Sequence, residues 1–411
     1  MSRIRKVGTA GFAASAVLFA GAAFADLKVA LIDPLSGGAA VSGIGAQKTH
    51  QFYIDRINAA GGLNGEKISF AAYDNKVNPQ ESLIQLKKAI DDGARIILQG
   101  NGSSVAHAIT EAVAKYNERN PGKEVVYLNY AAVDPALTNE KCNFWHFRFD
   151  ADADMKMAAL TDTIAKEKKI KSIYLLNQDY SFGKAVASAA DKMLSQKRPD
   201  IRIVGNEFHP LQKVQDFSPY IAKIKASGAD SVITGNWGND MILLIKAAKD
   251  AGLKVQWFTF YAGTPGTVTA IGEAGVGLVK QVTEWHKDAT PTLDPAVAEF
   301  EKRFPGRENE YQYWRAKTMW EMFAAAAKKA QSNDPVKIAR ALEGMKMQTS
   351  LGEVEMRADN HQLLQPLIVS TVTNHPKYKV EESNFGWKTD AKVDAKATAV
   401  PTTCKMQRPG A

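Results

Sequence analysis

Two doubly wound α/β lobes are what the sequence predicts, and three observations point to them. The chain opens on a β-α-β unit over Leu27 to Phe70, strands and helices go on alternating to Tyr130, and a second alternating series runs from Ser172 to Tyr261. A helix that crosses between successive strands implies a parallel sheet, and such sheets bind ligands beyond the carboxyl ends of their strands. With 411 residues the chain has room for two domains of ordinary size, each burying its own core.

The elements follow in order. Val29, Leu31 and Ile32 make a short apolar strand, after which a small-residue loop runs from Pro34 to Gly45, a ligand-binding loop in which Ser42 is the candidate contact. Phe52, Ile54 and Ile57 then recur at helical spacing until Ala60-Gly61-Gly62 stops the helix. Strand Ile68 to Tyr73 leads to a helix over Pro79 to Asp92, with Leu83, Leu86 and Ile90 inward. Strand Arg95 to Gln99, helix Val105 to Arg119 and strand Val125 to Tyr130 complete the first series. The helix-entry loops at Gly37 to Gly45, Asp74 to Asn78, Gly100 to Ser104 and Ala131 to Pro135 should share one edge.

Asp150 to Asp154 supplies acidic residues suited to the start of a helix reaching Lys166. The second series alternates strands Ser172 to Asn177, Ile201 to Phe208, Ser231 to Gly235 and Trp257 to Tyr261 with helices Phe182 to Gln196, Phe217 to Ala226 and Asn239 to Ala251. Leu278 to Trp285 reads as a return strand, and Pro295 to Phe304, Tyr311 to Lys329 and Pro335 to Leu342 as helices of the first lobe. Trp314, Met319, Trp320, Phe323 and Ala327 along the long helix read as core. Strand Leu367 to Val372, an edge strand at Tyr378 to Glu381 and a polar tail from Lys388 to Ala411 end the chain.

Residues 1 to 25 have the marks of an export leader. Arg3, Arg5 and Lys6 precede an apolar stretch from Val7 to Ala20 and an A-x-A site at Ala23-Phe24-Ala25, so cleavage after Ala25 and a periplasmic location are expected. A membrane anchor is the alternative; the apolar stretch is short for one. The net charge of +8, from 52 basic and 44 acidic residues, falls to +5 without those three basic residues. That mild surplus is spread over helix faces, as at Lys87-Lys88 and Lys328-Lys329, which argues for solvated surfaces and against a nucleic-acid partner. In an oxidising compartment, Cys142 and Cys404 read as one disulfide tying the tail to the first lobe, with two unrelated buried thiols as the alternative.

The opening stretch also resembles a family. A strand ending in Pro34-Leu35-Ser36-Gly37, a helix running into Ile57-Asn58-Ala59-Ala60-Gly61-Gly62-Leu63-Asn64-Gly65, and a strand ending in Tyr73-Asp74-Asn75 are similar to the opening of the type I periplasmic solute-binding proteins of branched-chain amino acid ABC importers. The resemblance covers nearly all of the chain after the leader. It implies two lobes joined by a three-crossing hinge, with 26–147 and 283–350 in the first, 148–282 and 351–387 in the second, and a tail over 388–411 returning to the first. It implies capture of a small carboxylate-bearing ligand by hinge closure, delivery to an inner-membrane ABC permease, and a monomer.

The resemblance also nominates ligand-binding residues. Ser104, with Ser103 beside it, matches the serine that binds the carboxylate, at a strand-loop-helix junction whose free N–H groups suit an anion; a serine N-cap without a ligand is the alternative. Ala131, Ala132 and Val133 match the second anchor, where Val133 replaces a hydroxyl and leaves the backbone groups of Ala131 and Ala132. From the second lobe, Tyr180, Phe182, Trp237 and Tyr261 match aromatic walls, with core packing as the alternative for Trp237. No acid occurs between Trp257 and Gly272, where amino-acid binders of the family place a partner for the ligand ammonium. Unless Asp179 or Asp240 substitutes, this favours a hydrophobic or aromatic carboxylate over a free amino acid.

Enzyme readings do poorly. The sequence has no G-x-S-x-G elbow, P-loop or complete G-x-G-x-x-G, and its seven histidines show no metal spacing and read mostly as surface or loop residues. His107 is near Ser104 in sequence but a helical turn further on. No cofactor or metal is therefore expected. A sensory receptor lobe and a secreted α/β hydrolase are the rival readings.

Overall fold

The computed structural model describes residues 26 to 410; the expected leader and its cleavage site lie outside them. Five strands, β1 (Leu27–Asp33), β2 (Ile68–Asp74), β3 (Ile96–Gln99), β4 (Val126–Asn129) and β5 (His146–Arg148), form an all-parallel sheet in the order β2-β1-β3-β4-β5. Its inner strands β3 and β4 are buried along their whole length, as expected where helices cover both faces of a sheet.

Strands β6 (Ser172–Gln178), β7 (Arg202–His209), β8 (Ser231–Thr234), β9 (Gln256–Thr259) and β10 (Val279–Thr283) repeat that order in the second lobe, again all parallel. Between the two series and their extension lies a small antiparallel sheet of β11 (Lys346–Thr349), β12 (Gly352–Met356) and β13 (Leu363–Leu364). Two antiparallel strands, β14 (Leu367–Thr373) and β15 (Gly386–Val393), then extend the second sheet beyond β10.

The chain passes between the lobes three times, and the three passages lie side by side. Arg148 N donates to His361 O at 2.9 Å, Gln362 Nε2 to Asp150 O at 2.8 Å and Gln365 Nε2 to Phe149 O at 3.0 Å. The remaining passage, after β10, is tied to the first by Arg315 through Glu284 and Asp150. The lobes touch: Ala39 and Val133 of the first lobe belong to the hydrophobic cluster of the second.

Several sequence expectations are corrected here. Leu83 is 40% exposed, because the helix Pro79–Asp91 turns Ser82, Leu86 and Ala89 inward instead. Tyr378 to Glu381 is no strand; Glu381 and Glu382 take positive φ, and the edge strand is β15, whose solvent-facing Lys388, Thr389 and Asp390 disguised it as tail. Residues 351–363 pack Leu351, Val354, Met356 and Leu363 into the core of the first lobe, not the second. Most histidines are not superficial either: His50, His146, His209, His286 and His361, five of the seven, are buried. Burial holds His286 neutral, lowering its pKa to about 4.

Beyond β15 the chain contacts the first lobe. Cys404 is bonded to Cys142 with Cα atoms 5.7 Å apart, a span suited to a disulfide. Thr402 Oγ1 donates to Thr138 O at 3.1 Å, and Met406 packs on the core of the first lobe.

Candidate ligand-binding site

In a parallel sheet of order 2-1-3-4-5 the connections after the first and third strands leave toward opposite faces, so a crevice opens between their carboxyl ends. Both lobes have this order, and their crevices meet across one cavity. Residues of both lobes line it.

From the first lobe come Ser42, in the first turn of the helix after β1, and the loop Gly100 to Ser103 after β3. This loop is shaped by its neighbours. Gly102 has φ +100°, and a side chain at Gly100 would place its Cβ 2.6 Å from the Tyr130 ring, so both positions need glycine. Ser103 then begins the helix Ser103–Arg119, whose first N–H groups have no intrahelical acceptors and point toward the cavity end. Ser103 Oγ accepts from Asp134 N at 3.3 Å, which leaves its own proton free to donate. Ser104, one residue further, does not line the cavity.

Asp33, at the end of β1, holds this loop from behind. It accepts from Asn101 N at 3.0 Å and Asn101 Nδ2 at 3.2 Å, and from the Tyr130 hydroxyl. Burial pushes its pKa from 3.8 up to about 7, although those donors pull the other way. The folded value lies above the ordinary one, so Asp33 contributes stability in full at low pH and loses it as pH rises through about 7. The same ionisation puts a negative charge behind the loop Gly100 to Ser103. Affinity for a carboxylate is therefore expected to fall as pH rises from about 6 to about 8, and Asp33→Asn to flatten the profile, measured by calorimetry across that range.

Ala131, Ala132 and Val133 also line the cavity, but the backbone donors expected of the first two are taken. Asn129 Oδ1 accepts from Ala131 N at 3.2 Å and Ala132 N at 2.8 Å, which turns the loop back on its own strand. Apolar Val133, 1% exposed, packs against the second lobe at the position where the resembling family has a hydroxyl.

The opposite wall is aromatic. Tyr180, Phe182, Trp237 and Tyr261 all face the cavity from the second lobe. Trp237 Nε1 donates to the Tyr180 hydroxyl at 2.7 Å, and Gln212 Nε2 to Trp237 O at 2.9 Å, fixing the indole. Phe182 and Tyr261 meet edge to face at 5.9 Å. Gly235 has no room for a side chain because the Phe182 ring would lie 3.0 Å from its Cβ.

Neither candidate for an ammonium partner reaches the cavity. Asp240 accepts from Gln178 Nε2 and Gln212 N, both at 2.8 Å, and Asp179 pairs with Lys184 at 3.2 Å. The charged side chain that does line it is Arg315, together with Gln312, Tyr313, Asn101 and Thr264. Arg315 Nη1 lies 2.6 Å from Glu284 and Nε 3.5 Å from Asp150, which in turn pairs with Lys156 at 2.8 Å. Lys156 sits 4.8 Å from the centre of the Tyr261 ring. Two carboxylates and two cations thus balance beneath the cavity and across two hinge passages. Burial would raise the Glu284 pKa, yet Arg315 and Lys156 hold it below its ordinary value.

In the sequence, the helix carrying Arg315 reads as core. One signal was available: an arginine stood in the apolar stripe beside Trp314, where a buried charge demands partners. His107 does not approach Ser104 as a catalytic base would; its Nε2 is 2.8 Å from Asp134. Among the described residues, no group of three or more His, Cys, Asp or Glu side chains is arranged to hold a metal ion.

The family defined as periplasmic binding protein matches residues 26–377. The Leu/Ile/Val-binding protein homolog 4 of Brucella melitensis biotype 1 is 38% identical, with 98% of each chain aligned. Among solved structures, the leucine-, isoleucine-, valine-, threonine- and alanine-binding protein of Brucella ovis, in a closed conformation, is 35% identical with a TM-score of 0.83, covering 94% of this chain and all of that one. A solute-binding protein of an ABC transporter from R. palustris, in complex with benzoate, has a TM-score of 0.77 at 19% identity and covers 93% of this chain and all of that one.

Proposed function

The chain belongs to the periplasmic binding protein family, and we propose that its cavity captures a small carboxylate with an apolar body for an inner-membrane ABC permease. The observation that carries the ligand class is the cavity lining. It combines the N-terminal loop of a helix, one guanidinium and five aromatic rings, with no Asp or Glu among the described residues that face it. A carboxylate meets donors there, and its apolar part meets Phe182, Trp237 and Tyr261. An ammonium would meet no anion, and desolvating an unpaired charge is expensive.

Closure follows from the same layout. The ligand seats on the loop at Ser103, and contacts from the aromatic wall are made when the lobes come together, so binding shifts the population toward the closed form. Export fits this reading, since a disulfide such as Cys142–Cys404 persists in an oxidising compartment. Cleavage after Ala25 and a monomeric state belong to the same proposal.

An aliphatic amino acid is the second reading, favoured by the Brucella relatives and by the aromatic faces, which can receive a cation. Leucine and its deaminated analogue 4-methylpentanoate separate the two. Calorimetric titration is expected to show the analogue binding at least about tenfold tighter, because only leucine must bury an unpaired ammonium. Tighter binding of leucine would assign the amino-acid class instead.

A further inference from the structure

A second cavity adjoins the first and shares Tyr261, Thr264, Gln312 and Arg315 with it. It extends toward the hinge, between the β9–β10 end of the second sheet and the loop before the helix Trp314–Ala330. Three polar atoms on the shared wall have no hydrogen-bond partner although they are buried: the Tyr261 hydroxyl, Gln312 Nε2 and Arg315 Nε, the last 3.5 Å from Asp150. Buried polar groups are rarely left unsatisfied, and each of these atoms can donate a hydrogen bond.

The charges around the second chamber are already matched. Lys287 Nζ lies 2.7 Å from Glu301 and 2.5 Å from Glu310. Glu381 accepts from Gly266 N at 2.8 Å and from Thr269 N and Thr269 Oγ1, both at 2.7 Å. Arg315 is held by Glu284 and Asp150. A second carboxylate on the ligand would find no free cation and would face Glu310 and Glu381, while an uncharged acceptor would disturb none of these pairs.

We propose that the ligand extends from the Ser103 loop past this shared wall and carries an uncharged carbonyl or hydroxyl oxygen, which Tyr261 and Gln312 bind as donors. This rests on the carboxylate reading above and specifies its substrate class. Such an oxygen supplies the acceptor that these orphaned donors lack, and the second chamber takes whatever lies beyond it.

Isosteric pairs test it on the full chain after leader removal: 6-oxoheptanoate against 6-methylheptanoate, and 4-acetylbenzoate against 4-isopropylbenzoate, titrated by calorimetry. In at least one pair the carbonyl compound is expected to bind tenfold or more tighter than its hydrocarbon isostere. Tyr261→Phe and Gln312→Met, made separately so that a folding defect in one leaves the other, are each expected to cut that preference to threefold or less. Equal binding within both pairs, or a preference that survives both substitutions, would overturn the inference while leaving the carboxylate reading in place. Failure of all four acids to bind would overturn both.

Discussion

Replacing Arg315 by methionine is expected to lower the unfolding free energy by about 3–5 kcal/mol at neutral pH. The guanidinium is buried, faces the ligand cavity and joins Glu284 to Asp150, so its loss leaves carboxylates underground with Lys156 as their remaining cation. Because Asp150 and Glu284 lie on two different hinge passages, the substitution also uncouples those passages. Urea denaturation followed by circular dichroism measures the loss. A decrease below about 1 kcal/mol would mean that the network stabilises little and that Arg315 is held for the ligand alone. Arg315→Lys should recover part of the stability but not the fork that spans both acids.

The double substitution Cys142→Ser with Cys404→Ser is expected to have an effect of similar size. The residues are 262 apart in sequence, and the chain-entropy model assigns a loop this long about 4 to 5 kcal/mol, before any native strain is subtracted. The bond anchors a tail whose other ties are weaker, such as Thr402 to Thr138 and Arg340 Nη2 to Pro409 O at 2.7 Å. Thermal melting should therefore show a drop of several degrees, and limited proteolysis should cut after β15 in the double variant but not in the parent. An unchanged melting temperature with an intact tail would show that packing of Met406 and the ties of residues 402–409 suffice.

The fold was largely legible because its strands are short apolar runs separated by helices with clear stops, as at Ala60-Gly61-Gly62. The cavity loops were legible for a related reason. Small residues at Gly100 to Ser103 and glycines around Trp237 mark close backbone approach at strand ends, and nine of the ten nominated residues line one cavity. Ser104 does not, because the helix begins one residue earlier than the nominated anchor. What escaped was set by tertiary contacts that leave no periodic trace. The edge strand β15 is polar on its open face and reads as tail. The donors of Ala131 and Ala132 are consumed by the side chain of Asn129. Arg315 enters the site from a helix more than two hundred residues beyond Ser103, and buried histidines are chosen by neighbours such as Asn236, whose Nδ2 is 2.8 Å from His209.

The most direct test is a crystal structure of the chain grown with 4-methylpentanoate. Its carboxylate is expected at the Ser103 end of the cavity, with the alkyl part against Phe182, Trp237 and Tyr261 and the lobes closed. A carboxylate turned to the aromatic wall, or a ligand bound outside the space between the lobes, would contradict the capture of a carboxylate by closure.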